Sequence, residues 1–177
     1  MLLIIRGQGL VKKKGFTIIE LVITITVLAA MGWMGVSAML SGIDAWSNFI
    51  QRKELVLQGK MSLNRMTREI RMIKDLTSVI TADSAVFELI DVNNVNITYS
   101  LNSGALERTE DAVTNTLATG ASSLSFTYYD ADNSIIISPV VAPSETDIRR
   151  VRINMSLAKN LDIVLNLRSD VKPRNLE

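Results

Sequence analysis

The sequence predicts an α+β protein in which one long N-terminal helix packs on an antiparallel β-sheet. Three observations lead to this fold class. An apolar run without any charged side chain extends from Leu21 to Ile43. An apolar stripe with helical spacing follows it, and after Thr77 the apolar period changes to two. A long helix followed by consecutive strands is typical of helix-on-sheet α+β domains.

The composition of the chain excludes several kinds of functional site. The 177 residues include no Cys and no His, which excludes disulfides, thiol nucleophiles and zinc sites built from these residues. The stretch 77–177 holds thirteen acidic and eight basic residues, so we expect no nucleic-acid partner. Phosphate-binding, nucleophile and metal motifs are absent from the sequence, and we expect neither a cofactor nor an enzymatic activity.

The apolar N-terminal run is long enough to cross a membrane. A helix from Phe16 to Leu40 would measure about 38 Å, against about 30 Å for a bilayer core. The basic residues 12–14 would place its N-terminal end in the cytoplasm. A secretory signal peptide cleaved near Ala30 is an alternative, but its apolar part would end well before Ile43.

One acidic residue, Glu20, separates two interpretations of this helix. An ordinary membrane anchor leaves Glu20 unexplained, because a carboxylate within a membrane helix costs roughly 2.5–3.5 kcal/mol. The side chain could reduce that cost by extending to the interface. The junction Lys-Lys-Lys-Gly-Phe-Thr-Ile-Ile-Glu-Leu (residues 12–21) resembles the cleavage and methylation signal of type IV pilins and type II secretion pseudopilins.

This resemblance implies a processing site and an assembly residue. A prepilin peptidase would cleave between Gly15 and Phe16 and then methylate the new N-terminal amine of Phe16. Glu20 would pair with the N-terminal amine of a neighbouring subunit, which would relieve the burial of an isolated carboxylate. The chain would then consist of a leader (1–15), a transmembrane helix half (16–43), an amphipathic helix half (44–76) and a β-rich outer domain (77–177).

The resemblance also implies partners and a location. We expect other pilin-like subunits, prepilin peptidase, an inner-membrane assembly platform and membrane lipid as partners. The protein would cross the bacterial cytoplasmic membrane once, with the C-terminal domain outside. The closing stretch 164–175 resembles J-type pseudopilins and W-type minor pilins, which favours a minor subunit in a tip or initiation complex. The alternative is a membrane-anchored extracytoplasmic binding domain, for example in DNA uptake, that does not polymerise.

Two features depart from the common pattern of this family. The leader is longer and more apolar than the short polar leaders of many members, beginning Met-Leu-Leu-Ile-Ile. Many major pilins have a helix-breaking proline about twenty residues after the cleavage site, whereas this chain has Gly32, Gly35 and Ser37 there. Glycine also weakens a helix, so bending in this region is compatible with the sequence.

The second half of the helix is predicted to be amphipathic and to cover the sheet. No proline occurs between residues 16 and 138, which predicts one helix from about Phe16 to Leu76 with Gly59 as its weakest point. Core packing explains the apolar stripe better than a coiled-coil partner does, since a sheet follows that needs covering. The stripe comprises Phe49, Val56, Leu63, Met66, Ile70 and Ile73.

About seven short strands are predicted in the outer domain from alternating apolar residues and turn signals. Asn93-Asn94 and Asn102-Ser-Gly104 mark turns, and the small polar residues 110–121 are predicted to form a loop. The predicted strands cover residues 85–92, 95–101, 105–109, 124–129, 135–137, 150–157 and 163–168.

Three polar clusters resemble functional sites, but the sequence favours a structural role for each. The stretch Asp130-Ala-Asp132-Asn133 resembles the start of a calcium loop, but Ile135 and Val141 stand where an EF-hand needs Gly and Glu. A turn between strands explains it better. The remaining clusters are predicted to be a solvated loop and an exposed strand face. They comprise Glu107, Glu110 and Asp111, and Arg149, Arg150 and Arg152.

Overall fold

The computed structural model describes residues 15–143, 146–159 and 163–176. Apart from Gly15, the predicted leader therefore lies outside the described residues. The chain divides into two compact units, Met1–Ser47 and Asn48–Glu177. One long helix, α1 (Ile18–Arg71), is followed by antiparallel sheets, which confirms the predicted α+β class.

The first unit contains the apolar part of α1. Every described residue from Gly15 to Ser47 is exposed in the isolated chain. Within the described residues, α1 is the one helix long and apolar enough to cross a membrane by length and composition. Because contiguous apolar surface on this scale is rare on soluble monomers, this part of the helix requires lipid or protein to cover it.

The helix ends at Arg71, five residues before the predicted Leu76, because strand-like pairing takes over the backbone. The amide of Val92 donates to the carbonyl of Met72 at 3.0 Å, and the amide of Lys74 donates to the carbonyl of Ile90 at 3.2 Å. These groups would otherwise have continued the helical hydrogen bonds. A short 3-10 helix, Leu76–Ser78, then leads into the first strand.

The strands are antiparallel as predicted, but they form two sheets rather than the single sheet that was expected. The first sheet has the order β1-β2-β3-β4-β5 and the second has the order β7-β6-β8-β9. The strands of the first sheet are β1 (Val79–Ala82), β2 (Phe87–Ile90), β3 (Asn96–Asn102), β4 (Ala105–Glu110) and β5 (Val113–Thr119). Those of the second are β6 (Ala121–Tyr129), β7 (Ile135–Ile136), β8 (Arg150–Lys159) and β9 (Ile163–Val171).

The predicted loop at residues 110–121 is also wrong, since most of it is strand β5. A tight turn at Asp111 and Ala112, both with positive φ, reverses the chain after β4. The strand β5 then pairs with β4, from Val113 opposite Glu110 to Thr119 opposite Ala105. Ala118 is its one buried residue, so an apolar alternation that would have predicted the strand is missing. Strand β1 was likewise not predicted.

Gly120 connects the two sheets at a position that excludes a side chain. It lies between β5 and β6 with φ of +71°, a left-handed conformation that favours glycine. A Cβ atom there would lie 2.3 Å from the carbonyl oxygen of Ala158 in β8. The amide of Ala158 donates to the carbonyl of Gly120, which fixes this close approach.

In the second unit, the part of α1 from residue 48 onwards covers both sheets. Ser62 Oγ donates to the carbonyl of Leu117 in β5 at 3.1 Å, and Thr67 Oγ1 lies 3.1 Å from Ser169 Oγ in β9. Gly59, predicted as a weak point, is buried inside an unbroken helix. A Cβ atom on Gly59 would lie 2.6 Å from Leu167 Cδ1, so the glycine allows the helix to approach the second sheet closely.

The core lies where the helix meets the facing sheets. Phe87 of β2 contacts Phe126 and Tyr128 of β6, with ring centroids 5.5 and 5.6 Å apart. Most of the predicted apolar stripe is confirmed as core, namely Leu63, Met66, Ile70 and Ile73. The prediction that Phe49, at the N-terminal end of the stripe, packs in the core was wrong, because this residue is 57% exposed.

Candidate functional site: the N-terminal segment of the helix

The predicted processing site precedes the helix, and its described residues, Gly15 and Phe16, are exposed. Gly15 and Phe16 lie before α1, and Phe16 is 76% exposed. No atom of the described residues, which begin at Gly15, would lie within 4 Å of a Cβ atom on this glycine. The backbone at this junction is thus non-helical and accessible, which is the form of chain that a peptidase needs to bind.

The helix start is fixed by a local signal. Thr17 is the N-cap, and its Oγ1 accepts a hydrogen bond of 3.3 Å from the amide of Glu20. The carbonyl of Thr17 accepts the first intrahelical hydrogen bond, 3.1 Å from the amide of Leu21. The Thr17-x-x-Glu20 spacing is that of a capping box, in which an acidic third residue favours helix formation. This signal, present in the sequence, places the helix start at Ile18 rather than at the predicted Phe16.

Glu20 is the acidic residue of the first turn and precedes an uncharged run of α1. Its carboxylate has neither a hydrogen-bond nor an ion-pair partner among the residues that the structure describes. The run from Leu21 to Ile43 lacks any charged group that could supply one. In an apolar medium, the cheapest partner for this carboxylate would be a cation brought by another molecule.

Two of the three polar clusters identified in the sequence, around Asp130 and around Glu110, have structural roles. Asp130 accepts hydrogen bonds from the amides of Asp132 and Ser134, which forms the predicted turn. In the acidic cluster, Glu110 pairs with Arg108, and Asp111 accepts from the amide of Asn96. Over residues 15–143, 146–159 and 163–176, no three acidic side chains are close enough to hold a metal ion.

A buried charged cluster in the second unit was not predicted from the sequence. Glu69 of α1 is 6% exposed and accepts from Arg108 Nε of β4 at 2.8 Å. Arg65 Nε lies 3.0 Å from Glu69 Oε1, whereas the hydroxyl of Tyr99 in β3 donates to Glu69 Oε2, the oxygen that also accepts from Arg108. Tyr99 of β3 and Arg108 of β4 both donate to Glu69, so the cluster fastens the helix to the first sheet.

The same contacts determine the protonation of this cluster. Burial acts to raise the pKa of Glu69, but hydrogen bonds from Arg108, Tyr99 and Arg65 outweigh it and lower the pKa. Burial also raises the pKa of Tyr99, and the adjacent Glu69 raises it further. Glu69 is therefore ionised and Tyr99 neutral near neutral pH, which is the state in which all the hydrogen bonds form.

Comparison with known proteins bears on the N-terminal segment alone. A family model described as the prokaryotic N-terminal methylation motif matches residues 10–36. No curated protein matches the chain. The matched residues contain Gly15, Phe16 and Glu20, and the motif points to a pilin-type structural protein that is processed by prepilin peptidase.

The fold agrees with this motif. A single N-terminal helix with an apolar first half suits membrane anchoring, and the antiparallel sheets after it complete a pilin-like arrangement. The chain therefore carries a prepilin-type N-terminal methylation motif on an α+β fold, consistent with a type IV pilin-like or pseudopilin protein.

Proposed function

We propose that the protein is a minor subunit of a type IV pilus or of a type II secretion-like filament. The leader 1–15 is removed after Gly15, and the amine of Phe16 is methylated. The mature chain is held in the cytoplasmic membrane by residues 16–43, with residues 44–177 outside, and assembles through its N-terminal helix. Its partners are other pilin-like subunits and the inner-membrane assembly platform.

The position of Glu20 is the observation that carries this proposal. The carboxylate stands at the start of an uncharged, fully exposed helical run and lacks a partner among the described residues. Its burial in lipid costs roughly 2.5–3.5 kcal/mol. The processed amine of an adjacent subunit would offset this cost by pairing with the carboxylate. The amine would also be stabilised, because it lies at the positive end of its own helix dipole and the carboxylate would compensate that repulsion.

The exposed apolar residues in the second half of the helix also favour assembly. Leu57 is 51% exposed and Met61 is 70% exposed, although both lie in the part of α1 that packs on the sheets. At 100° per residue they lie on the side of α1 opposite the buried Leu55, Gly59 and Met66. An apolar face pointing away from the core is what contact with neighbouring helices would cover.

A pair of substitutions at Glu20 tests the proposal. Glu20→Gln removes the charge but keeps a side chain of the same size that can form hydrogen bonds, whereas Glu20→Ala removes both. Asp44→Asn is the matched control, since it removes one exposed carboxylate from the same helix. Each variant is crosslinked in its native membranes, purified through a C-terminal tag and analysed for other prepilin-like subunits.

We expect both Glu20 variants to insert, to be cleaved and to lose most of the crosslinked subunits, while Asp44→Asn retains them. Wild-type levels of crosslinked subunits in both Glu20 variants would contradict assembly through this carboxylate. In that case an anchored extracytoplasmic binding domain that does not polymerise would become the better explanation.

A further inference from the structure

A basic cluster lies at one end of the second unit, formed by Arg71, Arg150, Lys172 and Arg174. Arg71 ends α1, Arg150 begins β8, Lys172 follows β9 and Arg174 begins the C-terminal 3-10 helix. All four line one surface cavity of about 470 Å³ together with Asp170. Two neighbouring cavities share residues with it, so the basic surface is continuous.

The β-sheet register accounts for this juxtaposition. Val151 of β8 pairs with Val171 of β9, so Arg150 and Lys172 lie beside each other one position further on. Pro173 is buried, which fixes the chain between Lys172 and Arg174 while both basic side chains remain exposed. Residues from four separate elements thus present their charges on one surface.

Among the residues that the structure describes, none of the four cluster cations forms an ion pair. Asp170, the carboxylate of the cavity, is already paired with Arg152 Nε at 2.8 Å and Arg168 Nε at 3.4 Å. Burial acts to raise the pKa of Asp170, but Arg152, Arg168 and Arg150 outweigh it and keep the carboxylate ionised. Within the described part of the chain, none of the four cluster cations has a carboxylate within 4 Å.

Arg150 supplies a second, independent observation. Its guanidinium stacks on the ring of Tyr129 with Cζ 4.0 Å from the centroid, which holds the charge in place. Its Nε is buried and has no hydrogen-bond partner among the residues that the structure describes. A half-buried cation held rigidly without a carboxylate gains more from an incoming anion than a fully solvated one does.

We propose that this basic cluster is a docking site for an acidic segment of another protein. The Asp or Glu side chains of that segment pair with the four cluster residues, Arg71, Arg150, Lys172 and Arg174. Discrete carboxylates suit the surface because the carboxylates of Asp170 and Asp130 interrupt its positive field. Asp170 and Asp130 repel every anion, but the side chains of an acidic segment can be spaced to avoid them, whereas the evenly spaced charges of a phosphate backbone or an anionic membrane cannot. Tyr129 is buried beneath Arg150, so it does not offer its face to a nucleotide base.

Binding of a labelled acidic peptide tests this inference on the full chain in nonionic micelles. The probe is a fluorescein-labelled peptide in which Asp and Glu alternate with Gly and Ser, followed by fluorescence anisotropy at low and high salt. The comparison peptide carries Asn and Gln in place of the acidic residues. A single-stranded oligonucleotide and vesicles containing anionic lipid serve as the competing ligands.

The test variant is Lys172→Gln/Arg174→Gln, because both side chains are exposed and their loss leaves the core intact. Arg52→Gln/Lys60→Gln is the matched control, since it removes two exposed charges from α1 outside the cavities. Thermal melting followed by circular dichroism checks that both variants fold.

We expect salt-sensitive binding of the acidic peptide that falls about tenfold in the test variant and is unchanged in the control. Lys172→Arg/Arg174→Lys should retain it. The proposal would be overturned if the affinity for the acidic peptide fell equally in the test and control variants. It would also be overturned if the uncharged peptide bound equally well, or if the oligonucleotide or the vesicles bound more tightly than the acidic peptide. The inference concerns residues 48–177 and does not depend on leader cleavage or filament assembly.

Discussion

Removal of the buried charge at Glu69 should destabilise the second unit strongly. In Glu69→Gln, the guanidinium of Arg108, which is 4% exposed, loses its buried carboxylate partner at 2.8 Å and keeps only Glu110. Breaking a buried ion pair by removing one partner costs about 3–5 kcal/mol. For a unit of this size, that loss lowers the melting temperature by roughly 10–20 °C.

The assay is urea unfolding of the full chain in nonionic micelles, followed through the β-sheet circular dichroism signal. Glu110→Gln is the matched control, because it removes a 44% exposed carboxylate from the same arginine and should cost less than about 1 kcal/mol. The double variant Glu69→Leu/Arg108→Met should be more stable than Glu69→Gln, since it leaves no unpaired buried charge. Equal effects of Glu69→Gln and Glu110→Gln would refute this reasoning.

Three further predictions follow from the fold. The pKa of Glu69 is lowered by its three donors, so its stabilisation is complete above its ordinary pKa of 4.5 and is lost as pH falls through the lower folded value. The free energy of unfolding should therefore fall less steeply with decreasing pH in Glu69→Gln than in the wild type. Identical pH dependence in the two proteins would contradict the prediction. Gly120→Ala should unfold at a much lower urea concentration than Gly104→Ala. Both glycines have positive φ, but a Cβ atom at Gly120 meets a backbone oxygen at 2.3 Å whereas the nearest atom at Gly104 is 3.9 Å away. The fragment 44–177 should melt in one cooperative transition by circular dichroism, and a gradual change would show that its core is incomplete without a partner.

Strands with one buried face were predictable from the sequence, whereas the exposed edge strand was not. Strand β8 alternates perfectly, with Val151, Ile153, Met155 and Leu157 all buried, because it is central in its sheet. Strand β5 pairs on one side only and buries Ala118 alone, so its sequence carries no period of two. The division into two sheets depends on backbone geometry at Gly120, which the residue pattern does not encode.

The buried charged cluster illustrates a second limit of sequence reasoning. Glu69 lies 30 residues from Tyr99 and 39 from Arg108, and only the pairing of β3 with β4 brings these two donors under the helix. On the sequence alone, Glu69 is one charge among several on an amphipathic helix. The N-terminal segment is the opposite case, because the residues of the methylation motif, and the capping signal at Thr17, are close together in the chain and need no tertiary contact to be recognised.

The mature N-terminus tests the central claim most directly. Intact-mass and N-terminal peptide analysis of the full chain, extracted from its native membrane, should show Phe16 as the first residue with one added methyl group. Gly15→Val should remain unprocessed, because a branched side chain blocks the close backbone approach that the open glycine permits. A membrane-bound chain that begins at Met1, or one that begins after Ala30, would contradict processing as a prepilin.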